Sequence, residues 1–230
     1  MGTKDASLHL LDRQIVDVEG RLIGKVDDVE LTEEGEELVV TGLLVGLGAL
    51  LPRLGRRLGP WLNRRYEQTS VSHAARRTPA VIDLDLVDRV ESAVHLHVPR
   101  AGLLRPRIEG PGSPVRRSVG DLLDLPVDLR GREGVAGRRP RVLDVHLDCL
   151  PGEAERCTAV GLLIGAGRPG ALLGYDRGYA RGPWPLAAAV RRLRRHSHQL
   201  ELGPGVELDW DAGAVRVAEE VPLVPLVGAG

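Results

Sequence analysis

Residues 10–21 read LLDRQIVDVEGR, and residues 122–132 read LLDLPVDLRGR. The two match with a one-residue gap. The likeness continues downstream in the same order. Residues 26–46 (VDDVELTEEGEELVVTGLLVG) answer residues 142–165 (VLDVHLDCLPGEAERCTAVGLLIG), and Gly59-Pro60-Trp61 answers Gly182-Pro183-Trp184. Chance local similarity rarely preserves such an order, and self-similarity at a long fixed period is the mark of a duplicated structural unit. The chain is therefore read as two copies of one unit. The 230 residues suffice for two domains of about 100 residues each.

Each copy opens with β signals. Ile15, Val16 and Val18 precede a turn at Glu19-Gly20, and Leu22, Val26, Val29 and Leu31 follow. Gly24 inside the second run predicts a bulge or bend. The acidic, glycine-containing stretch 32–37 predicts a hairpin loop. Residues 38–45 form a continuous apolar run, predicting a strand buried on both faces. Residues 81–86 (VIDLDL) and 94–98 (VHLHV) alternate, as strands with one wet face do. In the second copy, residues 206–210 and 215–217 flank Asp211-Ala212-Gly213 as a hairpin. Residues 221–230 are expected to add at most an edge strand.

Both copies carry an insertion after the apolar strand. The first spans about 47–77, with Leu50, Leu54, Leu58 and Trp61 at helical spacing. The second spans about 167–199, with a predicted helix over 185–198 whose apolar stripe is Leu186, Val190 and Leu193. Residues 99–117 (PRAGLLRPRIEGPGSPVRR) hold four Pro and three Gly and read as a solvated linker. The expected division is thus 1–98, a linker 99–117, and 118–230.

At 43% apolar residues the composition is that of a globular chain, and the formal net charge of −1 gives no global pull toward nucleic acid or membrane. Phe is absent and Lys occurs only at Lys4 and Lys25. An arginine preference this strong reflects codon usage in part, so clustered Arg carries less weight than usual. No signal peptide is read at the N-terminus, and the longest apolar run, 38–51, is too short to span a bilayer. No transmembrane segment is expected. With two cysteines the expected setting is cytoplasmic, either free or peripheral to the inner face of a membrane.

The stretch LLDRQIVDVEGRLIGKVDDVEL, with its turn at Glu19-Gly20, its Gly24-Lys25-Val26-Asp27-Asp28-Val29 element and the run 39–45, resembles the opening of PRC-barrel domains. Residues 81–98, around a turn at Glu91-Ser92, resemble that family's closing strands. These small β-barrels occur in the photosynthetic reaction-centre H subunit and in the C-terminal domain of a ribosome maturation factor. The second copy departs from the pattern where 134–140 replaces the Gly-Lys element. The resemblance implies a mainly β fold of two tandem PRC-barrel-like domains, each with a helical insertion. It also implies a docking role without shared catalytic residues.

Several residues invite a chemical reading. Residues 165–170 spell G-x-G-x-x-G, but no long helix and no suitably spaced acid follow, so dinucleotide binding is not favoured. His95 and His97 share a strand face and His196 and His198 end the predicted basic helix. Two imidazoles do not complete a metal site, and the solvent-facing reading is preferred. Cys149 and Cys157 flank a loop and could face each other, with reduced thiols favoured over a disulfide. Asp27 and Asp28, like Asp83 and Asp85, could be paired carboxylates for acid–base work, though strand alternation reads them as a wet face. No catalytic residue, metal or cofactor is assigned. Arg53, Arg56, Arg57, Arg64 and Arg65 in the first insertion, and Arg191, Arg192, Arg194 and Arg195 in the second, are the candidate partner-binding residues.

The reading favoured is a non-enzymatic adaptor or regulatory module that binds a protein, including a membrane-associated complex. The alternative is an RNA- or ribosome-associated module, or one on an anionic membrane surface, using the Arg-rich helices. Trp61 and Trp184 are the expected structural anchors that dock each insertion on its own copy. If so, Trp61→Ala and Trp184→Ala should each destabilise the chain by about 3–5 kcal/mol in urea or thermal unfolding. Variants that melt like the parent would make these side chains exposed.

Overall fold

The computed structural model describes residues 3–46, 48–50, 79–107, 110–132, 134–136, 139–166 and 197–226. The protein is mainly β over these residues, with short helices and several sheets, none of which closes into a barrel. Most of both expected insertions lies outside the described residues, apart from a helical turn at 48–50 and the start of the closing strand at 197–199.

The chain forms two compact units, Met1–Leu122 with Leu147–Ala159, and Leu123–His146 with Val160–Gly230. This division differs from that of the sequence copies. Unit 1 takes in the stretch 99–117, the opening of the second copy and the loop between two of its strands.

In unit 1 the elements run β1 (Lys4–Asp5), α1 (Ala6–His9), β2 (Gln14–Val16), β3 (Leu22–Lys25), β4 (Asp28–Glu34), β5 (Glu37–Val45), β6 (Ala80–Asp83), β7 (Val87–Val90), β8 (Val94–Leu96), β9 (Arg105–Pro106), β10 (Arg116–Ser118) and α2 (Val119–Leu122). One sheet has the antiparallel order β10-β4-β5-β6-β9, and Thr158 and Ala159 pair with Val39 and Leu38 of β5. A second sheet has the order β3-β2-β8-β7, with β2 and β8 parallel. The β4–β5 hairpin needs only Gly35 and Glu36 for its turn, with Gly35 at φ 65°. The expected loop over 32–37 is therefore mostly strand. Thr32 is buried, and Arg117 and Arg156 neutralise Glu33 and Glu34, which lets the acidic residues stay in the ladder. Leu10, Ile15, Val26, Val29, Leu31, Leu43 and Ile82 are fully buried as the core. The expected strand 81–86 stops at Asp83 and passes into a 3-10 turn, Leu84–Leu86.

The stretch 99–117 is largely solvent-exposed, as expected, but it is not a free tether. It supplies β9 and β10 to the sheet and places Arg107 against buried Glu30.

Unit 2 is built from β11 (Val127–Leu129), most of β12 (Arg141–Leu147) and β13 (Thr158–Gly165), β14 (His198–Glu201), β15 (Val206–Asp209), β16 (Ala214–Val217) and β17 (Val224–Pro225). One sheet runs β12-β13-β14-β17 and the other β11-β16-β15, with β11 and β16 parallel. Its core includes Val142, Val145, Leu162, Ile164, Leu200 and Val215. Of the helix expected over 185–198, residues 185–196 lie outside the described residues, while Ser197 is not helical and His198 opens β14.

The duplication is visible in backbone detail. Asp12 and Asp124, at matching positions, are the two non-glycine residues with positive φ among those described, at 64° and 67°. Aspartate tolerates this region because its short side chain bonds locally. The Asp12 N–H donates to the Val26 carbonyl at 2.8 Å and the Asp124 N–H to that of Val142 at 2.9 Å. Val26 and Val142 return bonds to the carbonyls of Arg13 and Leu125, both at 2.9 Å. Gly42 faces Asp83 as Gly161 faces Glu201, and Pro106 faces Ala80 as Pro225 faces His198.

Gly152, in the loop between β12 and β13, has φ 85°, and a Cβ there would overlap the Asp88 carbonyl of β7. Gly152→Ala should therefore cost about 1–3 kcal/mol in urea unfolding. Gly203→Ala, where a Cβ meets open space, should stay within about 0.5 kcal/mol of the parent. Equal midpoints for the two variants would contradict the packing of this loop.

Candidate functional site

The most densely connected polar group was read in the sequence only as part of a strand and a linker. Strand β4 carries Asp28, Glu30 and Thr32 on one face and Val29 and Leu31 on the other, and all five are buried. Burying a carboxylate requires donors. Glu30 receives them from Arg107, whose Nε donates to Oε2 at 3.0 Å and whose second guanidinium nitrogen donates to Oε1 at 2.7 Å. Such a bidentate pair is the strongest side-chain arrangement for a carboxylate. The same arginine nitrogen lies 2.7 Å from Asp83. Thr41 donates to Glu30 at 2.8 Å, which leaves Thr32 to donate to Thr41 at 2.9 Å. Gly42 lies between Glu30 and Asp83 in the ladder, where a Cβ would stand 3.3 Å from the Arg107 guanidinium and 2.7 Å from Val81. The glycine is thus a clearance chiefly for Val81 of the neighbouring strand, and only secondarily for the arginine.

Asp28 is fully buried and accepts from the Gly120 N–H on both oxygens, at 3.0 and 3.1 Å, and from Val29 at 2.8 Å. Gly120 is held in place by a reciprocal cap. The Ser118 hydroxyl accepts from the Asp121 N–H at 3.2 Å, and the Asp121 carboxylate accepts from the Ser118 N–H at 2.8 Å. Asp27 accepts from the Gly46 N–H at 2.7 Å and lies 3.6 Å from Lys25. These two aspartates are therefore not a wet face. Both are buried because backbone donors satisfy them. Asp83 and Asp85 are exposed.

A third buried aspartate, Asp17, closes the β2–β3 turn by accepting from the N–H groups of Glu19, Arg21 and Arg100. Burial pushes its pKa up, but these donors outweigh burial and hold it below the ordinary value. Beside this turn, Val18 and Leu22 are exposed apolar side chains, and β3 is an edge strand of its sheet.

In unit 2, His146 stands where unit 1 has Glu30, by the match of residues 26–31 with 142–147, and Leu226 where it has Arg107, by the matched registers. Unit 2 thus has neither the acid nor the base at these positions, so neither is stranded.

The loop between β12 and β13 brings together the two cysteines and a carboxylate. Cys149 and Cys157 are free and buried. The thiol of Cys157 donates to the Cys149 carbonyl at 2.9 Å, and that of Cys149 to the Arg156 carbonyl at 3.5 Å. Asp148 accepts from the N–H and the hydroxyl of Thr158, each at 2.8 Å. Burial, the largest influence, raises both thiol pKa values.

The other sequence candidates divide in two. Arg53, Arg56, Arg57, Arg64, Arg65, Arg191, Arg192, Arg194 and Arg195, with Trp61, Trp184 and His196, lie outside the described residues. So does the G-x-G-x-x-G motif beyond Ala166. Its first glycine, Gly165, has a packing role, since a Cβ would meet Leu143 at 2.9 Å and Ser197 at 3.0 Å. His95 is half-buried and lies 3.8 Å from Glu91, while His97 is exposed. His198 is buried in β14. No described helix is long and apolar enough to cross a membrane.

Comparison with protein-family models and with curated proteins finds no match. The fold and site define a duplicated, mainly β chain in which the carboxylates of β4 are committed to its own backbone and arginines. Sequence reasoning missed Glu30, Arg107 and Thr41, because the arginine that joins them comes from 77 residues beyond Glu30. The one available signal was the pair of acids at alternate positions, 28 and 30, between the apolar residues Val29 and Leu31.

Arg107→Ala should cost about 3 kcal/mol in urea unfolding, because it leaves the Glu30 carboxylate buried without its main partner. Adding Glu30→Gln should recover more than half of the loss. Loss of less than about 1 kcal/mol on Arg107→Ala would mean that water reaches Glu30.

Proposed function

We propose that the chain is a non-enzymatic adaptor of two tandem PRC-barrel-like modules, each with a helical insertion, that acts through protein–protein contacts. A membrane-associated complex is one class of partner in this reading. The observation that carries it is the commitment of the buried carboxylates. Asp27, Asp28 and Glu30 serve backbone amides, a lysine and an arginine, so their charge holds strands and turns in place. General acid–base work needs a carboxyl poised toward a reacting group in a cleft. The charge of these residues supports scaffold rigidity instead. The presence of His146 and Leu226 at the positions of Glu30 and Arg107 gives two scaffolds of one plan with different side chains. Exposed Val18 and Leu22 supply apolar surface of the kind that protein contacts use.

The reading is tested by co-purification from native extract, comparing the parent with Val18→Glu/Leu22→Glu and with Arg191→Glu/Arg195→Glu. The expected outcome is a protein partner that stays bound at high salt and is lost in one of the two variants. The Val18→Glu/Leu22→Glu variant should unfold near the parent's midpoint, since both side chains are exposed. Recovery of RNA alone, with steep salt dependence and loss on arginine reversal, would replace the protein-contact reading with the RNA-associated one.

A further inference from the structure

We propose that Cys149, Cys157 and Asp148 form a binding site for one thiophilic divalent cation of the zinc class. One ligand atom from each residue, the two sulfurs and a carboxylate oxygen, lies within 4.8 Å of the others. In a tetrahedral zinc–thiolate centre with bonds of about 2.3 Å, the sulfurs sit about 3.8 Å apart. No pair of the three donors exceeds that spacing by more than roughly 1 Å. The donor set, two thiols and one carboxylate, suits a borderline-soft ion and not magnesium or calcium, which take oxygen ligands.

The surroundings hold these donors in place. The Asp148 N–H donates to the Thr158 carbonyl at 3.1 Å, closing the base of the loop. Thr158 orients the Asp148 carboxylate through both its N–H and its hydroxyl. Each carboxylate oxygen keeps a further lone pair for an ion, and outer contacts of this kind tune metal affinity. The rest of the loop is anchored within unit 1. Gly152 packs against the Asp88 carbonyl, and Arg156 pairs with Glu34 at 2.8 Å and Glu37 at 2.7 Å. Each thiol proton rests on a backbone carbonyl, so removing the protons frees both sulfurs without moving the chain far. Binding converts two thiols and a divalent ion into a dithiolate complex and two released protons, with solvent in the fourth position. An ordinary cysteine thiol is protonated at neutral pH, so binding should release protons and strengthen as pH rises.

The test uses the reduced full chain and cadmium ion, followed by the ultraviolet thiolate–cadmium charge-transfer band and by proton release in weak buffer. Zinc ion is then added as competitor. The expected result is one ion and two protons per chain, displacement of cadmium by zinc, and protection of both thiols from alkylation by zinc. Cys149→Ala and Cys157→Ala should each abolish the band. Asp148→Asn should weaken binding at least tenfold with both thiols still present. Circular dichroism of each variant checks folding, and thiol protection in the parent needs no variant at all. Absence of the band in the parent overturns the proposal, as does a band that survives in the double cysteine variant. Air oxidation to a disulfide at a rate that zinc does not change would assign the pair to redox chemistry and also overturn it.

Discussion

A carboxylate taken fully out of water must be given hydrogen-bond donors, and Asp28 takes them from Gly120, ninety-two residues further along the chain. The rest of unit 1 follows from that demand. The donor is available only if β10, from the end of the expected linker, and α2, from the opening of the second copy, pack beside β4. The Ser118–Asp121 cap fixes the orientation of the Gly120 N–H, and three β10–β4 ladder pairs hold the segment in register. Glu30 makes the same demand two residues on and draws in Arg107 from the stretch that follows β9. Two buried acids thus decide how a proline- and glycine-rich stretch is folded.

Duplication has preserved backbone geometry more strictly than side-chain chemistry. The aspartates at positive φ, the reciprocal bonds to Val26 and Val142, the parallel pairs β2–β8 and β11–β16, and the β5–β6 and β13–β14 registers recur in both units. Backbone bonds are indifferent to side chains, so they survive divergence. Buried ion pairs are not. Removing one partner leaves an uncompensated charge, so the tolerated arrangements have both partners or neither, the latter as at His146 and Leu226.

The loop between β12 and β13 shows the same economy of charge at the surface. Arg156 spans Glu34 and Glu37 across the tip of the β4–β5 hairpin. Exposed ion pairs of this sort contribute little individually. Here the arginine works with the close approach of Gly152 to β7, and the two contacts define where Cys149 and Cys157 come to rest. Two thiols and a carboxylate then share one small volume in unit 1, although the second copy supplies all three.

The sequence alone determined the mainly β class, the apolar strand read over 38–45, the 206–217 hairpin and the order of the recurring segments. These rest on local periodicity and on order along the chain, both readable in one dimension. The acidic face of β4 was legible as an alternation but not as burial. Burial depends on donors that Arg107 and Gly120 bring from beyond the copy's expected end. For the same reason the stretch 99–117 looked like a free tether, and His198 like the end of a basic helix. The cysteine pair was legible as a possibility, since a loop between two strands can bring its ends together. The role of Asp148 beside it was not, because side-chain convergence is set by hairpin register. Local pattern fixes which segments become strands. Only tertiary structure decided which segments share a unit, because that choice turns on satisfying buried charge with donors distant in sequence.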